Sequence, residues 1–531
     1  ERLSNIDNYN TIGYRVLPPD TEGDVGPNYY VEMINLILAI YSKDGTKVFG
    51  PIPNNAIWTG FGGACEGTNS GDPIVLYDHL ADRWLVSQFS TAGPPYHQCI
   101  AISQSSDPTG SYYRYDYEWE DDKFPDYPKL GVWIDGYYMA ANQFTSGWAG
   151  QGVAAFERDK MLLGQTAQMI YFDLEPININ YGGMLPTDLD GPPPAAGTPN
   201  YYAEVDDEDW IPPTDAIRIW EFHVDWANPA NSTFGISGEP NYILDTAAWE
   251  PLPCVSAGSR DCIPQPGVSS SYYLDSLGDR LMYRLQYRNF GNQESLVVNH
   301  TVWADSADRA GVRWYRILLS GTTECSTFPC IWQQTTHAPA DGYYRWMGSA
   351  ALDNTRNLCV GYSLSSSAVY PSIAYACWLP DGTYDGEQTM YTGSGSQTHS
   401  ASRWGDYSTI SVDPSNECSF WYITEYYYQT NEPCPTTAST ACWHTRIGSF
   451  KYPSPSCTTP AKCLFKGYVI DASTTAPIPN ALVKAGAYSK VTNGVGYYEI
   501  YVQPGAYDME ASAVGYTASY IPAIDCSSGI V

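Results

Sequence analysis

A strand–turn–strand pattern recurs along most of this 531-residue chain and constrains its fold more than any other feature. Each copy has an apolar strand, a turn that contains Asp or Asn, and a second strand rich in aromatic residues; a third strand follows after a loop. The clear copies are 72–89, 126–144, 279–302, 345–365 and 403–427, and the weaker copies are 28–52 and 200–225. Short strands that cannot bury both faces alone stack radially, so the repeats predict a β-propeller.

Seven copies favour seven blades, and six or eight remain compatible with the pattern. The spacing of roughly 55–80 residues exceeds the ~40–50 of a compact blade, so we expect long loops at 145–200 and 226–274. A jelly roll or several β-sandwiches are the rival architectures. The 45 Tyr and 17 Trp, broken by 46 Gly and 39 Pro, favour an all-β chain, because aromatic side chains pack well on pleated surfaces. One run, 30–41, fits a helix or a buried strand pair equally well.

The formal net charge of −31 argues against nucleic acid or anionic lipid as a partner. No hydrophobic stretch reaches about 20 residues, so we expect no membrane span. The sequence starts at Glu1 without Met or a signal peptide, as a processed secreted chain would. These features predict a secreted protein, extracellular or at the cell surface.

Fourteen cysteines occur without the C-x-x-C pairs of zinc sites, which predicts disulfides formed in an oxidising compartment. Several pairs lie close together across expected hairpins, and one pair brackets the last segment of the chain. The predicted pairs are Cys65–Cys99, Cys254–Cys262, Cys325–Cys330, Cys359–Cys377, Cys434–Cys442 and Cys463–Cys526.

The end of the chain differs from the repeats. After a Pro/Ser/Thr-rich linker at 451–462, residues 463–531 carry short alternating strands separated by glycines. Its spaced signatures are Gly467-x-Val469-x-Asp471, Pro479-x-Ala481-x-Val483, Thr492-x-Gly494-x-Gly496-Tyr497 and Pro504-Gly505-x-Tyr507. This segment resembles a carboxypeptidase regulatory-like domain, which implies a small, non-catalytic, transthyretin-like β-sandwich.

The remainder of the chain carries a second resemblance. The segments 18–35, 80–89, 277–302 and 402–414 are similar to a group of secreted bacterial proteins distantly related to sialidase-like propellers. We therefore divide the chain into a joining segment at 1–26, a propeller at 27–450, the linker at 451–462 and the sandwich at 463–531.

The sialidase resemblance implies a site at the mouth of the propeller channel. In sialidases three arginines hold a substrate carboxylate, while a Tyr/Glu pair and a separate Asp act on the glycosidic bond. The corresponding candidates start the first strands of the repeats: Arg280, Arg345, Arg403, Asp72, Asp126, Asp406 and Tyr407. The structural alternative is that these arginines and aspartates pair with each other and tie neighbouring strands together.

Acidic loops suggest calcium as a cofactor, because carboxylate oxygens are its preferred ligands; solvated acidic loops are the alternative. The candidate ligands are Asp20, Glu22, Asp24, Asp188, Asp190, Asp206, Asp207 and Asp209.

Two functions remain open from the sequence. The leading hypothesis is a non-enzymatic extracellular scaffold or adhesive protein that binds a cell-surface partner or copies of itself, in a surface layer or filament. It rests on the lack of a recognised catalytic constellation, the accessory sandwich and the density of Tyr, which interfaces favour. The alternative is a glycan-acting propeller, either a sialidase-like glycoside hydrolase or a lectin-like carbohydrate binder.

Overall fold

The hairpin turns of the repeats have a common cause, an aspartate that ends the first strand of the hairpin. The computed structural model describes residues 2–251, 259–305, 309–321, 323, 325–430, 441–452, 457–527 and 529–531. In it, Asp78 accepts hydrogen bonds from the backbone N–H groups of Leu80 and Ala81, each at 3.1 Å. Asp353 and Asp413 do the same for backbone N–H groups two residues further on. Because a short carboxylate can replace a backbone turn acceptor, the Asp residues define the hairpins of three repeats.

Seven blades form in the described part of the chain. Blade one consists of β1 (Glu22–Val25), β2 (Tyr29–Ile34), β3 (Ile37–Ser42) and β4 (Lys47–Pro53); blade two of β5 (Ile74–Asp78), β6 (Arg83–Ser90), β7 (Tyr96–Ser103) and β8 (Tyr112–Trp119); and blade three of β9 (Phe124–Val132), β10 (Tyr137–Phe144), β11 (Trp148–Phe156) and β12 (Met169–Asp173). Blade four consists of β13 (Leu185–Asp190), β14 (Asn200–Asp206), β15 (Ala216–His223), β16 (Thr233–Phe234) and β17 (Tyr242–Asp245), and a two-stranded ribbon of β18 (Asp261–Ile263) and β19 (Leu274–Asp275) follows it. Blade five consists of β20 (Met282–Asn289), β21 (Glu294–Asp305), β22 (Arg309–Ser320) and β23 (Cys330–His337); blade six of β24 (Tyr344–Leu352), β25 (Leu358–Ser365), β26 (Ser372–Trp378) and β27 (Tyr384–Tyr391); and blade seven of β28 (Thr409–Val412), β29 (Ser419–Tyr426) and β30 (His444–Lys451). The 30–41 run is thus a strand pair, β2 and β3, rather than a helix.

The innermost strands of the seven blades close a ring. β1 contacts β5, β5 contacts β9, and the contacts continue through β13, β20, β24 and β28 back to β1. The inner strands β13 and β20 also pair in parallel, so blades four and five share one continuous sheet. This order is that of a seven-bladed propeller, as the sequence repeats predicted.

The start of the chain completes the last blade. Backbone hydrogen bonds join Arg2 and Leu3 to Thr445 at 3.1 and 2.9 Å, so the first residues form a fourth strand-like segment beside β30. A helix, α1 (Asn5–Ile12), follows. The first blade then starts at Glu22, earlier than the predicted propeller boundary at residue 27. Two short helices, α2 (Gly63–Gly67) and α3 (Arg158–Leu162), lie in loops between strands.

The C-terminal domain is a two-sheet sandwich. Its strands are β31 (Cys463–Tyr468), β32 (Leu482–Ala485), β33 (Tyr488–Val491), β34 (Tyr497–Val502), β35 (Gly505–Ser512) and β36 (Ser519–Cys526), arranged as β31–β34 and β33–β32–β35–β36. The sandwich lies on the face of the propeller at which inner strands end, called the exit face below. The backbone N–H of Ser489 donates to the carbonyl of Leu80 at 2.8 Å, and Lys490 pairs with Asp82 at 2.6 Å.

Disulfides tie these elements together. Four predicted pairs are present: Cys65–Cys99, Cys325–Cys330, Cys359–Cys377 and Cys463–Cys526. A fifth, Cys418–Cys457, was not predicted, and it fastens the linker to blade seven. The predicted pairs Cys254–Cys262 and Cys434–Cys442 each include a residue outside the described part of the chain. Disulfides of this density are consistent with an extracellular protein, and no helix among the described residues is long and apolar enough to cross a bilayer.

Candidate active site at the channel mouth

A left-handed backbone residue recurs where the inner strands begin, at the face opposite the sandwich, which we call the channel mouth. The residues and their φ angles are Asp20 (45°), Asp72 (27°), Tyr127 (53°), Gly183 (66°), Met347 (54°) and Asp406 (58°). For residues other than glycine such a φ is uncommon and costs about 1–3 kcal/mol. Strain repeated at one end of a ring marks that end as the place to look for a site.

Three carboxyl groups from consecutive blades gather at this mouth. Burial, followed by the neighbouring charge and hydrogen bond of Asp72, raises the pKa of Asp20 well above its usual value. Burial and the same neighbour raise the pKa of Asp126 to about 6. The hydroxyl of the fully buried Tyr407 donates to Asp72 Oδ2 at 2.6 Å. Asp20 and Asp126 therefore keep their protons at higher pH than ordinary aspartates do.

A buried cation lies directly behind these acids. The ammonium of Lys129 lies 3.4 Å from the ring centroid of Tyr127 and 3.3 Å from that of Tyr407. Burial lowers the pKa of Lys129 to about 7, although Asp72, Glu22 and Asp20 oppose the shift. The two rings, 5.0 Å apart, thus hold a titratable amine between them. An amine of this kind supplies either a cation or a neutral base to the mouth, depending on pH.

Two of the predicted arginines reach the mouth, and each is already paired. Arg280 Nε contacts Asp279 Oδ1 at 2.8 Å, and its guanidinium lies 4.8 Å from the Tyr127 ring centroid. Arg403 pairs with Asp406, and its side chain is 42% exposed. The predicted Asp406 is therefore the partner of Arg403, which agrees with the structural alternative for this pair.

The prediction that Arg345 converges with these two arginines is wrong. Arg345 is fully buried and binds Glu387 at 2.6 Å and Asp341 at 2.6 Å. Glu387 belongs to β27, the outermost strand of blade six, so the guanidinium points away from the channel. A buried guanidinium needs carboxylate partners, and Glu387 and Asp341 supply them to Arg345. A three-arginine carboxylate clamp does not form.

The residues predicted as calcium ligands lie in several separate surroundings. Glu22 accepts the hydroxyl of Thr409 at 2.7 Å inside the channel, and Asp24 accepts the backbone N–H of Tyr77 at 2.6 Å. Asp188 and Asp190 both pair with the buried Arg284. A guanidinium thus occupies the place where a bound cation was predicted.

Three of the four remaining predicted ligands lie in blade four. Asp206 pairs with Arg218, Asp207 accepts the backbone N–H of Asp209 at 2.8 Å, and Asp20 belongs to the mouth described above. Across the described ranges, no group of three or more His, Cys, Asp or Glu residues is placed to hold a metal ion. Calcium binding stays a prediction without geometric support.

Sequence reasoning missed four residues of the channel: Asp20 as a mouth acid, Tyr127, Lys129 and Arg284. A partial signal was present for the mouth. Counting back six residues from the hairpin residues Asp78 and Asp353, and seven from Asp413, gives three of the left-handed mouth residues: Asp72, Met347 and Asp406. The position of Arg284 carries no such signal, because its partners come from another blade.

Comparison with known proteins identifies the sandwich most clearly. Residues 465–529 match the family model of the carboxypeptidase regulatory-like domain. A comparison with curated protein sequences finds no match.

Solved structures similar to the chain include three with different descriptions. A Hadza microbial sialidase is 9% identical, with a TM-score of 0.35 over 80% of this chain and 73% of that one. An exo-beta-1,3-galactanase from Phanerochaete chrysosporium is 10% identical, with a TM-score of 0.27 over 97% of this chain and 96% of the galactanase. The WD40 domain of SCAP from fission yeast is 8% identical, with a TM-score of 0.33 over 81% of this chain and 95% of the WD40 domain. The propeller assignment rests on the strand order described above, and the C-terminal sandwich matches the carboxypeptidase regulatory-like domain.

Proposed function

We propose that the protein is an extracellular glycan-acting propeller that hydrolyses glycosidic bonds at the channel mouth. The observation that carries the proposal is the cluster of neighbouring acids Asp20, Asp72 and Asp126, with the pKa of Asp126 raised to about 6. Most glycoside hydrolases use two carboxyl groups, one protonated to serve as acid and one ionised to serve as base or nucleophile. Surroundings that push the pKa values of neighbouring carboxyls apart produce that division of roles.

Each residue then has a defined part. Asp126 is the acid that donates a proton to the leaving oxygen, because burial and Asp72 keep its proton in place up to about pH 6. Asp72 is the second carboxyl, held in position by the Tyr407 hydroxyl at 2.6 Å. Arg403, the most exposed cation of the mouth, contacts substrate. Sialic acid is not specifically favoured, because Arg345 does not take part.

The test is turnover of a panel of aryl glycosides and polysaccharides, sialosides included. We expect Asp72→Asn and Asp126→Asn to lower kcat/KM by at least about a hundredfold with an unchanged circular dichroism spectrum. The activity of the parent should fall as pH rises through about 6, as Asp126 loses its proton. The matched control is Asp381→Asn, a carboxyl in the exposed β26–β27 turn. Absence of turnover on every substrate, or equal loss in all three variants, contradicts the proposal.

A second candidate function, self-assembly into a layer or filament, is supported by the surface of the sandwich. Among the described residues, large exposed apolar side chains are concentrated there, including Val514, Tyr516, Tyr520, Ile521 and Ile530. Strand β36 is an edge strand of its sheet and is exposed along most of its length. Exposed apolar edges are sites for strand addition by another chain.

Sedimentation velocity at increasing protein concentration tests this second candidate. We expect concentration-dependent association that Ile521→Lys abolishes and Ile243→Lys, a change at an exposed residue of blade four, leaves intact. A parent that stays monomeric at high concentration rules self-assembly out.

A further inference from the structure

A cavity of about 470 Å³ lies between the sandwich and the exit face of the propeller, away from the channel mouth. Its propeller wall includes Tyr77, Asp82 and Pro414, and its sandwich wall includes Lys490, Glu499 and Tyr501. Ligand sites typically measure about 300–1,000 Å³ and occur preferentially between domains. The size and place of this cavity are therefore those of a small-molecule site.

A row of tyrosines continues this cavity onto the surface of the sandwich. In the β31–β34 sheet, Tyr468 pairs with Tyr497, and Leu464 pairs with Tyr501. The side chains of Tyr497 and Tyr501 point outward, because the alternate residues Ile500 and Val502 fill the core. Tyr468 is 65% exposed and Tyr501 58% exposed.

The spacing of these rings suits an extended ligand. The ring centroids of Tyr468 and Tyr497 are 5.1 Å apart and their planes are inclined by 52°, so the two rings form a bent aromatic platform. Tyr501 lies four residues along the strand from Tyr497, which is roughly 13 Å at about 3.4 Å per residue. Because Tyr501 also lines the cavity, the platform and the cavity form one continuous cleft, which we call the interdomain cleft.

The charges that face the interdomain cleft nearly balance. Lys490 is paired with Asp82 at 2.6 Å, and Lys462 donates to the carbonyl of Pro414 at 3.0 Å. Glu499 accepts the hydroxyl of Tyr497 at 2.6 Å. Glu417 is paired with the buried Arg288 at 2.9 Å. The ammonium groups of Lys490 and Lys462 face the carboxylates of Asp82, Glu499 and Glu417. Because the guanidinium of Arg288 is paired with Glu417, three cationic groups offset these three carboxylates. This balance favours a neutral ligand over an anion even though the chain is strongly acidic.

We propose that the interdomain cleft binds a neutral oligosaccharide or polysaccharide chain. The apolar faces of sugar rings stack on Tyr468, Tyr497 and Tyr501, and the hydroxyls exchange hydrogen bonds with Glu499, Lys490 and Lys462. Tyrosine suits this role because it combines an apolar ring with a polar tip. The site is separate from the proposed hydrolytic mouth and does not depend on it. If both operate, the two sites raise avidity for polymeric glycan, since a chain held at one stays concentrated at the other.

The experiment uses the full chain in native affinity gels cast with soluble neutral polysaccharides: β-glucan, xylan, galactan, arabinan and mannan. All proteins carry Asp72→Asn, so that hydrolysis at the mouth cannot consume the probe. We expect retardation on at least one polysaccharide, weakened about tenfold by Tyr501→Ala and several-fold by Tyr468→Ala. The matched control is Tyr520→Ala, since Tyr520 is 60% exposed on the edge strand β36 of the other sheet.

The outcomes separate this inference from the hydrolytic proposal. Retardation lost with Tyr501→Ala and kept with Tyr520→Ala supports the cleft, whether or not the parent hydrolyses anything. Equal loss with Tyr501→Ala and Tyr520→Ala overturns it, because binding would then follow exposed tyrosine anywhere on the sandwich. Absence of retardation on every polysaccharide also overturns it.

Discussion

Replacing Arg158 with methionine tests how the three parts of the fold are joined. Arg158 and Asp78 are both fully buried. The guanidinium donates to the two oxygens of Asp78 at 2.7 and 3.0 Å and to Ser489 Oγ at 3.3 Å. It therefore links the β5–β6 hairpin of blade two, helix α3 between strands β11 and β12 of blade three, and strand β33 of the sandwich.

The size of the effect follows from these contacts. A hydrogen bond to a charged group contributes about 1.5–3 kcal/mol, so the two bonds to Asp78 represent about 3–6 kcal/mol. Asp78 keeps the hydroxyl of Tyr137 at 2.9 Å and the N–H groups of Leu80 and Ala81. We therefore expect Arg158→Met to lower the free energy of unfolding by about 3–4 kcal/mol, within the range for breaking a buried ion pair.

The effect should also depend on pH. Burial acts to raise the pKa of Asp78, but Arg158 outweighs burial and holds it below the usual value. In the parent, this pair therefore contributes stability above about pH 4, which is lost as pH falls through the lowered pKa. Without Arg158, burial raises the pKa of Asp78, so the variant loses stability as pH rises above about 4. The difference in the free energy of unfolding between parent and variant should therefore be smaller at pH 4.5 than at pH 8.

Urea unfolding followed by tryptophan fluorescence measures these differences at both pH values. The double variant Arg158→Met/Asp78→Asn should be markedly less destabilised than the sum of its single variants. The control is Lys484→Met, which breaks a partly exposed ion pair between the same two domains and should cost less than about 1 kcal/mol. A cost of Arg158→Met below about 1 kcal/mol, or additive single variants, would refute the reasoning.

Three further predictions concern other parts of the molecule. Burial raises the pKa of Glu22 to about 8, so this group's contribution to stability falls as pH rises from about 4.5 to 8. The stability of Glu22→Gln, measured by thermal unfolding, should therefore match that of the parent at pH 5 and exceed it at pH 8 by up to roughly 4 kcal/mol. Equal melting curves at pH 8 would contradict this. Replacing Cys463 and Cys526 by serine removes a disulfide between residues 63 positions apart and should destabilise the sandwich by about 4 kcal/mol. Limited proteolysis should then cleave the sandwich first. Equal cleavage of the propeller would count against a local effect. Arg345→Ala leaves Glu387 without its guanidinium partner, so it should lower the melting temperature without altering turnover at the mouth. Arg403→Ala should alter turnover with little loss of stability. The reverse pattern would indicate that Arg345 belongs to the site.

Local signals in the chain were sufficient for the architecture. The repeat of apolar strand, Asp-containing turn and aromatic strand implies blades, because each unit has two faces to bury and short loops between its strands. The turn aspartates Asp78, Asp353 and Asp413 are visible as a sequence pattern and act locally, through backbone N–H groups a few residues away. The glycine-punctuated end of the chain likewise indicates its sandwich, and the close cysteine pairs indicate their disulfides.

The sites depended on relations between distant parts of the chain. The side chain of Arg345 can face either the channel or Glu387, depending on the pairing register of its strand. A register shift of one residue moves the side chain to the opposite face. Lys129 lies between two rings 280 residues apart in sequence, Tyr127 and Tyr407. Arg284 pairs with both Asp188 and Asp190, although it comes from another blade. The interdomain cleft exists only because the sandwich folds back onto the exit face of the propeller. Closing the ring and docking the sandwich create these surroundings, since charge, burial and ring contacts arise only when remote segments meet.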